Sequence, residues 1–98
     1  MIDIKQYLDW LNMRSNDIRK KAANAIDKNY LYGIYRSYQY AAEAYFLQKG
    51  KPEDLINQFS KEISNIDKMI LQEAREDNKR RMQGCVDGFN EIIKYLSE

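Results

Sequence analysis

Apolar side chains recur along nearly the whole chain at alternating steps of three and four residues, which gathers them on one face of an α-helix. The first such run is Ile4, Leu8, Leu11, Ser15, Ile18, Ala22 and Ala25, in which only Ser15 is polar. A second run, Leu31, Ile34, Tyr38, Ala41 and Tyr45, does not continue the phase of the first. A break is therefore expected near Asp27-Lys28-Asn29, where Asp and Asn side chains compete for backbone hydrogen bonds. The third run reads Ile56, Phe59, Ile63, Ile66 and Ile70, flanked by Leu55, Met69 and Ala74, and slips phase near Asp77-Asn78. The fourth follows Met82, Cys85, Phe89, Ile92 and Leu96, with Val86 and Ile93 beside it. Four Gly and one Pro in 98 residues supply too few turns for an all-β fold.

The ends of these runs carry their own signals. Asp3 can cap the first helix with Gln6 closing a capping box, and Ile2 and Tyr7 are spaced as a hydrophobic staple. Gly50 is suited to end the second helix, and Pro52, followed by Glu53 and Asp54, to open the third. These marks predict helices over about 4–26, 30–48, 52–76 and 79–97 in a single domain spanning 1–98. Each half reads as a longer helix, a break and a shorter helix with small residues near its start. Gly33 and Ser37 in the first half stand where Gly84 and Gly88 stand in the second, and small residues four apart let two helix backbones approach closely. The expected fold class is all-α: a four-helix bundle of two αα-hairpins. The alternative is two long antiparallel helices kinked near residues 28 and 78. Lys79, Arg80 and Arg81 favour that alternative, because three cations at a fresh helix N-terminus oppose its dipole.

The chain has no histidine, which removes the commonest general base, the commonest metal ligand and every Ser-His or Cys-His nucleophile pair. A single cysteine cannot build a structural zinc site, and on the apolar seam Cys85 reads as a core residue. No Gly-rich phosphate loop follows a strand. Glu73, Glu76 and Asp77, and again Asp87 and Glu91, cluster at helical spacing, but they sit among Arg75, Lys79 and Lys94 and read as solvated faces. No enzyme activity, cofactor or metal is expected. The formal net charge of +1 gives no global field, so any basic site must be local. One unpaired cysteine and an opening without a basic leader or apolar stretch suit a reducing cytoplasm, and no run approaches the roughly 20 apolar residues of a membrane span.

Two features stand out against this background. Tyr30, Tyr32, Tyr35, Tyr38, Tyr40, Tyr45 and Phe46 crowd the second helix, so it is either central or faces a partner. Trp10 and Met13 read as lying opposite the core seam of the first helix. The expected protein-binding residues are Trp10, Met13, Tyr32 and Tyr40, since Trp and Tyr dominate binding hot spots. The second feature is basic: Arg19, Lys20, Lys21 and Lys28, and Arg75, Lys79, Arg80 and Arg81. In an up-down bundle both clusters fall at one end, where they could hold phosphates or an acidic protein surface.

The opening Ile4-Lys5-Gln6-Tyr7-Leu8-Asp9-Trp10-Leu11 and the closing Phe89-Asn90-Glu91-Ile92-Ile93-Lys94-Tyr95-Leu96 resemble the ends of small helical accessory proteins encoded by bacteriophages and mobile elements. That resemblance implies a protein of the bacterial cytoplasm that blocks a host defence system, an anti-CRISPR-type inhibitor acting by surface occlusion. The expected function is thus non-enzymatic binding of a protein partner. The alternatives are a nucleic-acid-associated protein using Lys20, Lys21, Arg75, Lys79, Arg80 and Arg81, and a structural homo-oligomer.

Overall fold

The computed structural model describes residues 3–48 and 51–98 and is all-α. Its helices are α1 (Ile4–Ala22), α2 (Lys28–Gln48), α3 (Pro52–Gln72) and α4 (Glu76–Ser97). Asp3 caps α1 as expected, its carboxylate accepting the Lys5 N–H at 2.9 Å. Pro52 occupies the first turn of α3, followed by Glu53 and Asp54, which complement the helix dipole. The expected staple through Ile2 and the stop at Gly50 lie outside the described residues.

Four boundaries differ from the sequence reading. α1 stops at Ala22 rather than at residue 26, and α2 starts earlier, at Lys28, because the Asp27 carboxylate accepts the Tyr30 N–H at 3.2 Å and caps it. α3 stops at Gln72 rather than at residue 76, and Glu73 turns its carboxylate onto the Arg75 N–H at 3.1 Å. α4 therefore begins at Glu76, with Glu76 and Asp77 in its first turn. Lys79, Arg80 and Arg81 fall one turn inside α4, so the dipole objection to a four-helix bundle disappears. The kinked two-helix alternative is excluded, because α1 folds back on α2: the Tyr7 hydroxyl donates to the Ala41 carbonyl at 3.4 Å, and the Tyr7 and Tyr45 rings lie 6.2 Å apart.

The two hairpins join through α2 and α4, which make the most extensive contact in the molecule, while α1 packs on α2 and α3 on α4. Pairs along the joint advance together: Asp27 with Arg80, Asn29 with Arg81, Ser37 with Gly88 and Tyr40 with Phe89. The two central helices are therefore parallel. Small residues allow this, as the sequence pattern suggested. A Cβ on Gly33 would collide with the Arg81 carbonyl oxygen, and one on Gly84 would collide with the Tyr30 carbonyl oxygen. Gly33 and Gly84 are 51 positions apart, as are Tyr30 and Arg81, so the joint maps onto itself when α2 and α4 are exchanged. α1 lies against α4 on one side of this pair, through Trp10 and Tyr95, and α3 lies against α2 on the other, through Phe59 and Tyr40.

The buried core draws on all four helices: Tyr7, Leu11 and Ile18 from α1, Tyr38, Ala41 and Ala44 from α2, Leu55 and Phe59 from α3, and Val86, Phe89, Ile92 and Leu96 from α4. Each fully buried side chain of the size of Phe59 or Ile92 contributes about 1.5–3 kcal/mol relative to exposure. No helix among the described residues is long and apolar enough to cross a membrane.

Candidate binding surface

The four aromatic and Met positions singled out from the sequence separate into two kinds. Trp10 does not lie opposite the core seam: its indole stacks on Tyr95 at 4.3 Å between centroids and 9° between planes, with Tyr38 edge-on at 6.0 Å. α1 packs on two helices at once, so its apolar face is wider than the single seam that periodicity reveals. Tyr40 is also turned inward, on the far side of the α2/α4 pair, between Phe59 and Phe89 at 6.2 and 5.5 Å. Its hydroxyl accepts from Gln58 at 2.9 Å and reaches Glu62 at 3.3 Å. Met13 on α1 and Tyr32 on α2 remain outside, 53% and 49% exposed. Trp10, Met13, Tyr32 and Tyr40 thus form no common face.

The basic residues do come together. The last turn of α1, the α1–α2 connection and the start of α2 lie at the same end as the α3–α4 connection and the start of α4, because Arg80 reaches Asp27 with its Nε at 2.8 Å. This loop end gathers eight of the 16 Lys and Arg, namely Arg19, Lys20, Lys21, Lys28, Arg75, Lys79, Arg80 and Arg81, against the four carboxylates of Asp27, Glu73, Glu76 and Asp77. The two clusters differ in how far they are neutralised. Arg80 pairs with Asp27 and lies 4.6 Å over the Tyr30 ring, and Arg81 donates to Asn29 at 3.2 Å and lies 5.5 Å over Tyr32. Arg75 pairs with Asp77 at 2.9 Å and Lys79 with Glu76 at 3.7 Å. Among the described residues, Arg19, Lys20, Lys21 and Lys28 have no carboxylate within ion-pair distance.

The pairing has electrostatic consequences. The Arg80 guanidinium holds the Asp27 carboxyl below the usual carboxylate range. Tyr30 donates to Asp87, and that bond, aided by burial, pushes its phenol up to about 12. Asp87 also accepts from Gln83 at 3.0 Å, and Glu91 pairs with Arg14 at 2.8 Å, so Asp87 and Glu91 tie α4 to α2 and α1. Burial raises the Cys85 thiol, which keeps it protonated and suits a core role.

Apart from Tyr32, sequence reading missed the apolar part of this end. Six large apolar side chains among the described residues are exposed, and four of them, Ile26, Tyr32, Met69 and Leu71, lie at the loop end. Ile26 is fully open at 105% and Leu71 is 86% exposed. Ile26 lay inside the overextended first helix of the sequence reading, where nothing marked it as a loop tip. A second feature, a shallow groove of about 230 Å³, runs along α1 and α2 between Asn12, Ser15, Asn16 and Arg19 on one wall and Tyr35 and Gln39 on the other. Its wall is already hydrogen-bonded, Gln39 donating to the Tyr35 hydroxyl at 2.9 Å. Comparison of the chain with protein-family models, with curated proteins and with solved structures finds no match.

Proposed function

We propose that this chain is a non-enzymatic binding protein that docks through its loop end and acts by covering an acidic surface of a partner protein. The observation that carries the reading is the coincidence of exposed apolar side chains and uncompensated cations at that one end. Ile26 is fully exposed on the connection that joins the Lys20-Lys21 end of α1 to Lys28 at the start of α2, and Tyr32, one turn into α2, has Arg81 over its ring. Exposed apolar groups rimmed by charge are the usual composition of a docking face, and Tyr is a frequent anchor. Inhibition of a host defence protein by occlusion is the form of this reading that the likeness to phage accessory proteins suggests.

The Ile26→Ser/Tyr32→Ala double variant should keep its helical circular dichroism and lose at least tenfold in affinity for a partner captured by the native chain. Unchanged affinity would remove the loop end as the docking face. The nucleic-acid reading now rests first on Lys20, Lys21 and Lys28, because Arg80 is paired with Asp27 and Arg81 is held by Asn29 and over the Tyr32 ring. It requires binding that weakens steeply as salt rises and is lost when those three lysines are replaced.

A further inference from the structure

The α1 seam has one polar member, Ser15, and the groove between α1 and α2 lies over it. The Ser15 hydroxyl donates back to the Leu11 carbonyl at 2.8 Å, so its proton is engaged within α1 and the short side chain leaves the space beside it unfilled. Ala42 is equally short on the α2 wall, and the buried Leu11 and Tyr38 form the floor. The opening of about 230 Å³ is graded along its length. α1 and α2 run antiparallel, so Leu8 and Ala42 share the end away from the loops, and Arg19 and Tyr35 share the end beside them.

The polar end has one sign of charge. Among the described residues that line the groove Arg19 alone is charged, although the chain holds 15 Asp and Glu. No carboxylate of the described residues lies within ion-pair distance of Arg19. Tyr35 accepts from Gln39 at 2.9 Å and keeps its own proton to give. Asn16 and Arg19 lie three positions apart on α1, so their donors fall on the same wall.

We infer that the groove binds a small amphipathic carboxylate, a straight-chain acid of about eight carbons, with its head on Arg19 and its chain running over Leu11 to Leu8 and Ala42. Charge selects the head, since a guanidinium without a partner meets a carboxylate through charge-assisted hydrogen bonds. Volume selects the size. An enclosed apolar cavity of about 150 Å³ holds benzene, so this space admits roughly nine non-hydrogen atoms. Length agrees with volume. About 16 Å of helix separates Leu8 from Arg19, and the Arg19 side chain leans back toward the start of α1, which leaves about 10 Å for the ligand's chain. A dicarboxylate fits less well, because the far end would set its second charge against Leu8 and Ala42. Ile26 and Tyr32 do not line the groove, so the site is independent of the loop-end reading.

Titration of octanoate into isotope-labelled protein tests this by nuclear magnetic resonance, because the side-chain amides of Asn12, Asn16 and Gln39 report on the groove directly. Their signals should shift along one saturable curve. Octanol, with the same chain and no charge, should bind at least about fivefold more weakly. Ser15→Leu should keep its helical circular dichroism, fill the groove and abolish the shifts. Arg19→Gln, at an exposed position, should weaken octanoate binding by about the same fivefold and leave octanol binding as it was. The absence of saturable shifts at the three amides overturns the proposal, as does equal affinity for octanol. So does octanoate binding that survives both Ser15→Leu and Arg19→Gln with helicity retained, or shifts confined to the surroundings of Ile26 and Leu71. Ile26→Ser/Tyr32→Ala should leave the titration unchanged, which keeps failure here distinct from failure of the loop-end reading.

Discussion

The α1–α2 hairpin and the α3–α4 hairpin are of similar length and meet in one glycine contact, but their connections differ, 23–27 against 73–75, and they place their apolar residues differently. In the first, Tyr7 and Trp10 of α1 reach across to Tyr95 of α4, and Leu11 and Ile18 close the seam against α2. In the second, contact with the rest of the bundle is concentrated where Leu55 and Phe59 meet the core and Phe59 stacks on Phe89 at 5.5 Å. A common helix order thus carries two degrees of closure, with buried side chains along all of α1 and only in the first half of α3.

Truncation on the two outer helices should expose that difference most strongly. Leu11→Ala removes a side chain that is 2% exposed and should cost about 3 kcal/mol in urea unfolding, whereas Ile70→Ala, at a half-covered position of α3, should cost about 1 kcal/mol. Equal costs would mean the outer helices are sealed alike. The joint between the hairpins should be the next most sensitive place. Gly84→Ala drives a methyl into the Tyr30 carbonyl, and after the roughly 1 kcal/mol gain in helix propensity it should still destabilise by about 2 kcal/mol. Gly88→Ala meets the Ser37 side chain, whose hydroxyl can rotate away, and only grazes the Ile34 carbonyl, so its cost should be smaller, about 1 kcal/mol.

A smaller effect is expected on the α1 side. The buried Tyr38 hydroxyl makes no well-formed hydrogen bond but faces the Arg14 guanidinium, so Tyr38→Phe should change stability by no more than about 1 kcal/mol. The smallest effect concerns the clamp between the hairpins. Because Arg80 depresses the Asp27 carboxyl, the pair adds stability above the unfolded-state carboxylate value and loses it as pH falls through the lower folded value. Below about pH 4 the native chain should therefore lose stability slightly faster than Asp27→Asn, seen as a difference in slope of the urea midpoint against pH.

Much of this architecture was legible beforehand. The number of helices, the start at Pro52 and the close approach through Gly33, Ser37, Gly84 and Gly88 all rest on local patterns, and local patterns are what a sequence displays. The ends of α1 and α3 were not legible. Ala25 and Ala74 continue the apolar rhythm, and small apolar residues fit a helix or a loop tip equally well. Trp10 and Tyr40 were misplaced for a different reason. Periodicity reports one packing direction for each helix, but α1 and α2 each have neighbours on more than one side, and the second direction becomes visible only in three dimensions. The loop end was half legible: its cations could be counted, while the pairing of Arg75, Lys79 and Arg80 with Asp77, Glu76 and Asp27 depended on the fold.

The Tyr7 ring lies 6.3 Å from that of Tyr95, so the start of α1 and the finish of α4 are neighbours, at the opposite pole from the cationic loops. A short Gly-Ser bridge could therefore close Asp3 to Glu98 into a ring, and the polypeptide could be reopened elsewhere as a circular permutant. Dyes, affinity tags or surface tethers attached at either terminus would point away from the cationic pole, leaving it free to be probed in an immobilised molecule.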